Sequence, residues 1–237
     1  MKIQDFFKEA FYINLDSRPD RDILFQDELK KHGLDGFVKR VSACTPKLDD
    51  IGPGNTQQEI TLIHFRKHGA CGRSHKNLVK YAKDKNLDNI LIFEDDAAFY
   101  NDGNTKAIEL IENSLDVLAT IPDWDIFYMG GIILQDEIDQ PVGNLLKVDI
   151  TLTTHAWAIN KRCYNNVLKY NPGDGYQEIY DSPIDGCLGN DTKLNKYLTY
   201  PLAVYQRENV VSDCNYGRLT DDVSQWLKNY NKKVKQK

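Results

Sequence analysis

The sequence predicts an α/β domain built on a mostly parallel central sheet flanked by helices, and three observations carry this expectation. An apolar run, Ile90 to Phe93, stops on three consecutive carboxylates, Glu94, Asp95 and Asp96. Four apolar residues in a row fit a strand buried on both faces of a parallel sheet. A second stretch, Ala10 to Leu15, passes through Asp16-Ser17-Arg18 into Pro19, a residue suited to the first helical position, so strand, tight turn and helix follow one another. A third, Asp125 to Met129, ends at Gly130-Gly131, where backbone can approach something closely. At 237 residues the chain suffices for one sizeable core and is short for two. Residues 1–237 are therefore read as a single domain, with 231–237 a frayed basic tail.

Composition narrows the function classes. The chain is 41% hydrophobic and 27% charged, ordinary for a globular protein, and its formal charge of −5 opposes a general affinity for nucleic acid. Membrane contact is expected to be peripheral at most. No apolar run reaches the length of a membrane span, and charges occupy the N-terminal stretch where a signal peptide needs an apolar core, so a cytoplasmic address is expected. Five cysteines without C-x-x-C spacing indicate neither a disulfide framework nor a zinc site.

In chain order, the first helix runs from Pro19 with Asp20 and Asp22 in its first turn, and Lys30, Lys31 and His32 before Gly33, an arrangement that complements its dipole. Gly36 to Ser42 reads as a second strand, and Ala43 to Glu59 as a loop rich in Gly, Pro, Asp and Asn. Ser74, in G-A-C-G-R-S-H, is an N-cap candidate for a helix over Lys76 to Asn86 that leads into the carboxylate strand. Beyond Asp102-Gly103-Asn104, Ile108, Ile111, Leu115 and Leu118 form one helical stripe. Gln135 to Asn144 is a polar excursion, a hairpin or lid. Thr151 to Asn160 alternates as a strand and leads into a helix over Lys161 to Tyr170. Asn171 to Gly175 is a loop, and Ser182 to Leu188 a short capped helix with Asp185 in its first turn. Tyr197 to Gln206 is a last strand, placed at an edge by Pro201. A final helix starts at Thr220 with Val223, Trp226, Leu227 and Tyr230 on one face.

The candidate chemistry gathers where these strands end. A buried strand cannot hold charges in its middle, so Glu94, Asp95 and Asp96 emerge at its C-terminal end, where ligand crevices of open α/β sheets lie. Hard oxygen ligands in such a cluster suit Mg²⁺ or Mn²⁺ shared with substrate phosphates; the same triplet also fits a solvated acidic turn. Arg18 and Arg21, at a helix N-terminus, could face a diphosphate or pair with Asp16, Asp20 or Asp22. His75 beside Ser74 reads on its own as a structural hydrogen-bonder.

The blocks F-Y-I-N-L-D-S-R-P-D-R, C-G-R-S-H, I-F-E-D-D-A, W-D-I-F-Y-M-G, T-H-A-W-A-I, S-P-I-D-G-C-L and P-L-A-V-Y-Q followed by V-S-D occur in this order over Phe11 to Asp213. In this order they resemble glycosyltransferase family 25, which includes bacterial lipooligosaccharide galactosyltransferases and collagen hydroxylysine galactosyltransferases; the last two blocks look more like the collagen-modifying branch and its viral relatives. The family's usual Gly before the Cys of the second block is Ala70 here.

The resemblance implies a GT-A-like nucleotide-sugar transferase fold, a UDP-sugar donor carrying galactose or glucose, Mn²⁺ (or Mg²⁺), and inversion at the anomeric carbon. The acceptor would be a hydroxyl on a glycan, lipid-linked glycan or protein such as hydroxylysine. It implies Glu94, Asp95 and Asp96 as the metal motif. Asn14, Leu15, Arg18 and Arg21 would lie at the nucleotide end, faced by Arg73, Ser74 and His75. His155 and Asp185 match further blocks. Breaking the sugar–diphosphate bond leaves negative charge on the β-phosphate, which a cation stabilises, while single displacement needs a base outside the metal cluster. Asp185 is the candidate base, with Asp181 second. Two other readings remain open: a metal-dependent nucleotidyltransferase, and a catalytically inactive sugar-binding scaffold.

Overall fold

The computed structural model describes residues 1–101, 103, 106–135, 139–169, 188–189, 191–207 and 213. After a short helix α1 (Ile3–Phe6), strand β1 (Ala10–Asn14) turns into helix α2 (Pro19–Lys31), with Pro19 at the first helical position as the sequence indicates. Strand β2 (Val38–Ser42) and the long helix α3 (Gln57–Asp84) follow, then β3 (Asn89–Glu94), β4 (Ala97–Phe99) and α4 (Ala107–Leu118). The chain continues through β5 (Ile126–Tyr128), β6 (Ile132–Ile133), β7 (Leu145–Val148), β8 (Thr151–Leu152) and β9 (Ala156–Asn160). A 3-10 turn at Lys161–Cys163 enters α5 (Tyr164–Lys169), and the last described strands are β10 (Lys196–Thr199) and β11 (Val204–Gln206).

Seven strands form the central sheet in the order β2-β1-β3-β9-β5-β10-β7. Strands β2, β1, β3, β5 and β10 run one way, and β9 and β7 run against them. The architecture is thus α/β with a mostly parallel sheet. Side chains alternate across it, as the period of two requires. Tyr12, Leu91, Phe93, Phe127 and Ala158 pack on one face with Phe25 and Leu29 of α2 and Ile111 and Leu115 of α4. Phe11, Ile13, Ile90, Ile92, Tyr128, Trp157 and Ile159 pack on the other with Leu78, Val79 and Ala82 of α3 and Val167 of α5. Both faces are covered, which explains why the β3 run is apolar at every position. No helix among the described residues is long and apolar enough to cross a membrane.

Several expectations are corrected. Ser74 is not an N-cap: it lies inside α3, whose N-terminus is a capping box formed by Thr56 and Glu59, so the helix begins within the expected loop. Gly69 and Gly72, which suggest a break locally, are buried in the helix, and packing there overrides a propensity cost of roughly 1 kcal/mol each. Ser74 Oγ donates to the Ala70 carbonyl (2.9 Å) and accepts from the Cys44 amide (2.8 Å). Ala70 is therefore an ordinary buried helical residue. The alternating stretch from Thr151 is two strands, separated at Thr153, where φ is +83°. Tyr197 to Gln206 is likewise two strands in different sheets, joined through a cis Tyr200-Pro201 bond. Here β10 lies between β5 and β7 rather than at an edge, because Pro201 falls after it. The expected helix at Lys161 starts as a 3-10 turn. Asn171 to Gly175, Ser182 to Cys187, and the helix and basic tail from Thr220 lie outside the described residues.

Candidate active site

The carboxylates sit where the sequence places them. Glu94 is the last residue of β3, and Asp95 and Asp96 form the turn into β4. Since β1 and β3 are parallel and β9 opposes β3, the end of β1, the end of β3 and the approach to β9 converge at one sheet edge. The far side of the turn is fixed as well: β4 pairs with β11, and the Arg207 amide donates to the Asp96 carbonyl at 2.8 Å.

Asn14, 1% exposed, organises the β1 side. Its Nδ2 donates to Asp95 Oδ2 (2.7 Å) and to the Arg18 carbonyl (3.1 Å), and its Oδ1 accepts from Arg40 Nε and Nη2 (3.1 and 2.7 Å). Arg21, reaching inward from the first turn of α2, forms ion pairs with Asp95, with Asp96 (3.1 Å) and with Asp213 (2.8 Å). Arg18 shares Asp213 at 2.6 Å and also holds Asp20. The arginines thus pair with acidic groups, one of the sequence alternatives, but their partners include the distant Asp95, Asp96 and Asp213 as well as the local Asp20. Leu15 is half-buried beyond β1, its carbonyl accepting from the Arg18 amide.

Glu94 is held from the opposite side. Thr154 Oγ1 donates to Glu94 Oε1 at 2.6 Å, and His75 Nε2 lies 3.2 Å from the same oxygen. His75 is fully buried, and its Nδ1 faces the indole N–H of Trp157 at 3.2 Å. Burial would raise the Glu94 carboxyl, but the hydrogen bonds from His75 and Thr154 hold it well below the usual range. Asp96 is the reverse: burial and the charge of Glu94 raise it, and Arg21 only partly opposes them. Burial likewise raises Asp95 against the pull of Arg21 and Asn14. Asp96 Oδ1 is buried and has no hydrogen-bond partner among the described residues. A carboxylate oxygen left so in a cluster of acids fits a hard cation, the ligand that would satisfy it without a donated proton.

Of the sequence candidates, Asn14, Arg18, Arg21, His75, Glu94, Asp95 and Asp96 come together. Ser74 faces the Cys44 loop instead, and Arg73 is half-buried on α3. His155 is buried, with Nε2 3.3 Å from the Val204 carbonyl and beside Gly130, where a Cβ would meet that same carbonyl at 1.7 Å. In that block it is Thr154 whose side chain reaches Glu94. Asp181 and Asp185 lie outside the described residues.

Sequence reasoning missed Arg40, Thr154 and Trp157, whose partners are remote in the chain. It also missed a face of α3. His64, His68, Cys71 and His75 follow at helical spacing, visible only once α3 is one helix. Cys71, His75 and Glu94 bring metal-capable donor atoms within 4.8 Å of one another. The His64 and His68 rings lie 4.2 Å apart, and burial together with His64 pushes His68 down to about 4.

The family model described as "Glycosyltransferase family 25 (LPS biosynthesis protein)" matches residues 7–122. Among curated relatives, procollagen galactosyltransferase 2 of Homo sapiens is 26% identical over 180 residues, covering 70% of this chain and 28% of that protein. The human inactive glycosyltransferase 25 family member 3 is 28% identical over 132 residues, covering 52% of this chain and 22% of that protein. The chain thus spans less than a third of the length of these relatives. A solved glycosyltransferase involved in glycosylation of the major capsid of PBCV-1 superposes loosely, with a TM-score of 0.35 and 9% identity over 67% of this chain and 62% of that one. Residues 7–122, which contain the carboxylate corner and the groups from β1, α2 and α3 that hold it, are thus similar to glycosyltransferase family 25.

Proposed function

We propose that the chain is an inverting, divalent-cation-dependent glycosyltransferase that moves galactose or glucose from a UDP-sugar to a hydroxyl of a glycan, lipid-linked glycan or protein acceptor. The observation that carries this reading is the Asp95–Asp96 turn at the end of a buried strand, with Asp96 Oδ1 buried and without a partner among the described residues. Asp96 and Asp95, with Glu94 behind them, would hold Mn²⁺ or Mg²⁺. When bound, the cation supplies Lewis-acid stabilisation of the leaving diphosphate. Arg18 and Arg21 at the start of α2 supply guanidinium groups suited to phosphate oxygens, and Asn14 fixes the direction of Asp95. The acceptor proton needs a base outside the cation corner, and Asp185, with Asp181 second, is assigned to it.

A screen of UDP release from UDP-galactose, UDP-glucose and UDP-N-acetylglucosamine, with and without Mn²⁺ and with a chelator, tests the reading. Release from one hexose donor, lost on chelation without unfolding, is expected. Full release after exhaustive chelation would refute the cation, and donor binding without release, on any acceptor, would favour the catalytically inactive sugar-binding scaffold. That second reading is kept because one relative is named as inactive. Release of pyrophosphate from UTP and a sugar phosphate would instead mark a nucleotidyltransferase.

A further inference from the structure

We infer that Trp157 fixes the tautomer of His75 and thereby makes it a hydrogen-bond donor to Glu94, closing the Cys71–His75–Glu94 trio to a transition-metal ion. The inference rests on reading Glu94 as part of the cation corner. The geometry itself does not depend on any activity.

An indole N–H donates and never accepts. Trp157 Nε1 lies 3.2 Å from His75 Nδ1, and both side chains are fully buried, so no water substitutes for this contact. Nδ1 must therefore offer its lone pair. In neutral imidazole the proton then resides on Nε2, and Nε2 lies 3.2 Å from Glu94 Oε1. The bonds form a chain of fixed direction: indole to imidazole, imidazole to carboxylate. Reversing the tautomer would set two N–H groups against each other at Nδ1 and two lone pairs against each other at Nε2. Both bonds would be lost together.

Two consequences follow at Glu94. His75 and Thr154 both donate to Oε1, so this oxygen is committed, and among the described residues no bond lands on Oε2. The side chain retains 20% exposure, so Oε2 is its available atom at the carboxylate corner. Secondly, thiolate, imidazole and carboxylate are a ligand set that zinc accepts, and their donor atoms lie close enough to share an ion. Ligation through His75 Nε2 requires that nitrogen's lone pair, which forces the proton onto Nδ1 and into the indole N–H. Trp157 thereby keeps a soft metal from drawing Glu94 away from its neighbours. It is a positioning residue, acting through His75.

The test uses imidazole ¹⁵N–¹H correlation spectra of the full chain, with His75 assigned by its loss in His75→Gln, together with Zn²⁺ and Co²⁺ titration. In the wild type, His75 should show the Nε2–H tautomer, with Nδ1 at the shift of an unprotonated nitrogen, and added Zn²⁺ should leave that tautomer unchanged. Trp157→Phe keeps an aromatic ring in the core and removes the donor, with some loss of buried volume. It should populate the Nδ1–H form and gain a site at which Co²⁺ develops a thiolate charge-transfer band that Cys71→Ser abolishes. A wild-type His75 protonated on Nδ1, or wild-type Zn²⁺ uptake that moves its proton to Nδ1, would overturn the inference even if the variant failed to fold. A variant that folds and keeps the Nε2–H form would also overturn it. Absence of UDP release alongside a wild-type Nε2–H tautomer would count against the proposed activity and leave this assignment standing.

Discussion

At the scale of single residues, the carboxylate corner assigns different work to groups of the same type. Glu94 has donors on one oxygen, Asp95 is bound by Asn14 and Arg21, and Asp96 keeps a buried oxygen with no partner among the described residues. Asp96→Ala should therefore remove cation-dependent donor binding and transfer together while the circular dichroism and melting transition stay close to wild type. Calorimetry with UDP-sugar and Mn²⁺ measures this, and wild-type affinity in the variant would remove Asp96 from the site. Asp185→Asn should behave differently. Donor affinity should persist, while transfer falls by about 10² to 10⁴, the usual scale of general-base catalysis. Intact turnover would pass the role to Asp181, and loss of donor affinity would make Asp185 a donor-side ligand.

At the scale of elements, Glu28 joins three pieces of chain. Extending from α2, it accepts from the Phe99 amide of β4 (3.1 Å) and contacts Lys31, His32 and, after β11, Arg207. Burial would raise its carboxyl, but the His32 and Phe99 hydrogen bonds, with the nearby cations, lower it to about 2. A carboxyl depressed in the folded state contributes stability that is present above its unfolded value near 4.5 and is lost as pH falls toward 2. Glu28→Gln should thus cost about 1–3 kcal/mol at pH 7 in urea unfolding, and the gap should narrow as pH is lowered toward 3. A gap constant across that range would show that the charge contributes nothing. This contact was not legible in the sequence, where Glu28 reads as one polar residue of a helix. The parallel strands and α2 were legible because their signals are local: a run of apolar residues, a proline, a change of period. Helix α3 was misread because glycines and a serine give local signals that burial overrides. The Tyr197 to Gln206 stretch was misread because apolar patterning does not register a change of sheet. The carboxylate corner was legible because three charges cannot stay inside a buried strand. Trp157 and Arg40 were not, since nothing near them in the chain points to His75 or Asn14.

At the scale of the whole molecule, Lys196 ties residues 188–191 to the central sheet. Buried on β10, its ammonium donates to the carbonyls of Leu188, Gly189 and Asp191 at 3.1, 2.7 and 2.9 Å, using all three protons. Burial lowers it from 10.5 to about 8, the mark of a penalty for burying the charge. Lys196→Met removes that penalty but leaves three carbonyls without a donor at about 1–3 kcal/mol each, so a net loss of a few kcal/mol is expected in thermal or urea unfolding. Between pH 8 and 10.5 the unfolded chain still holds a proton that the folded one has released, so wild-type stability should rise with pH relative to the Met variant. A difference flat across that window would mean the lysine does not titrate there. The pairing of β4 with β11 works over a longer separation still, joining residues 97–99 to residues 204–206. The turn bearing Asp95 and Asp96 is synthesised before the strand that clamps its far side, which emerges more than a hundred residues later. Contacts so distant in sequence form late in folding. The nascent chain therefore carries its acidic corner open until β11 emerges, and a chain interrupted before Val204 would hold these carboxylates without the frame that aims them.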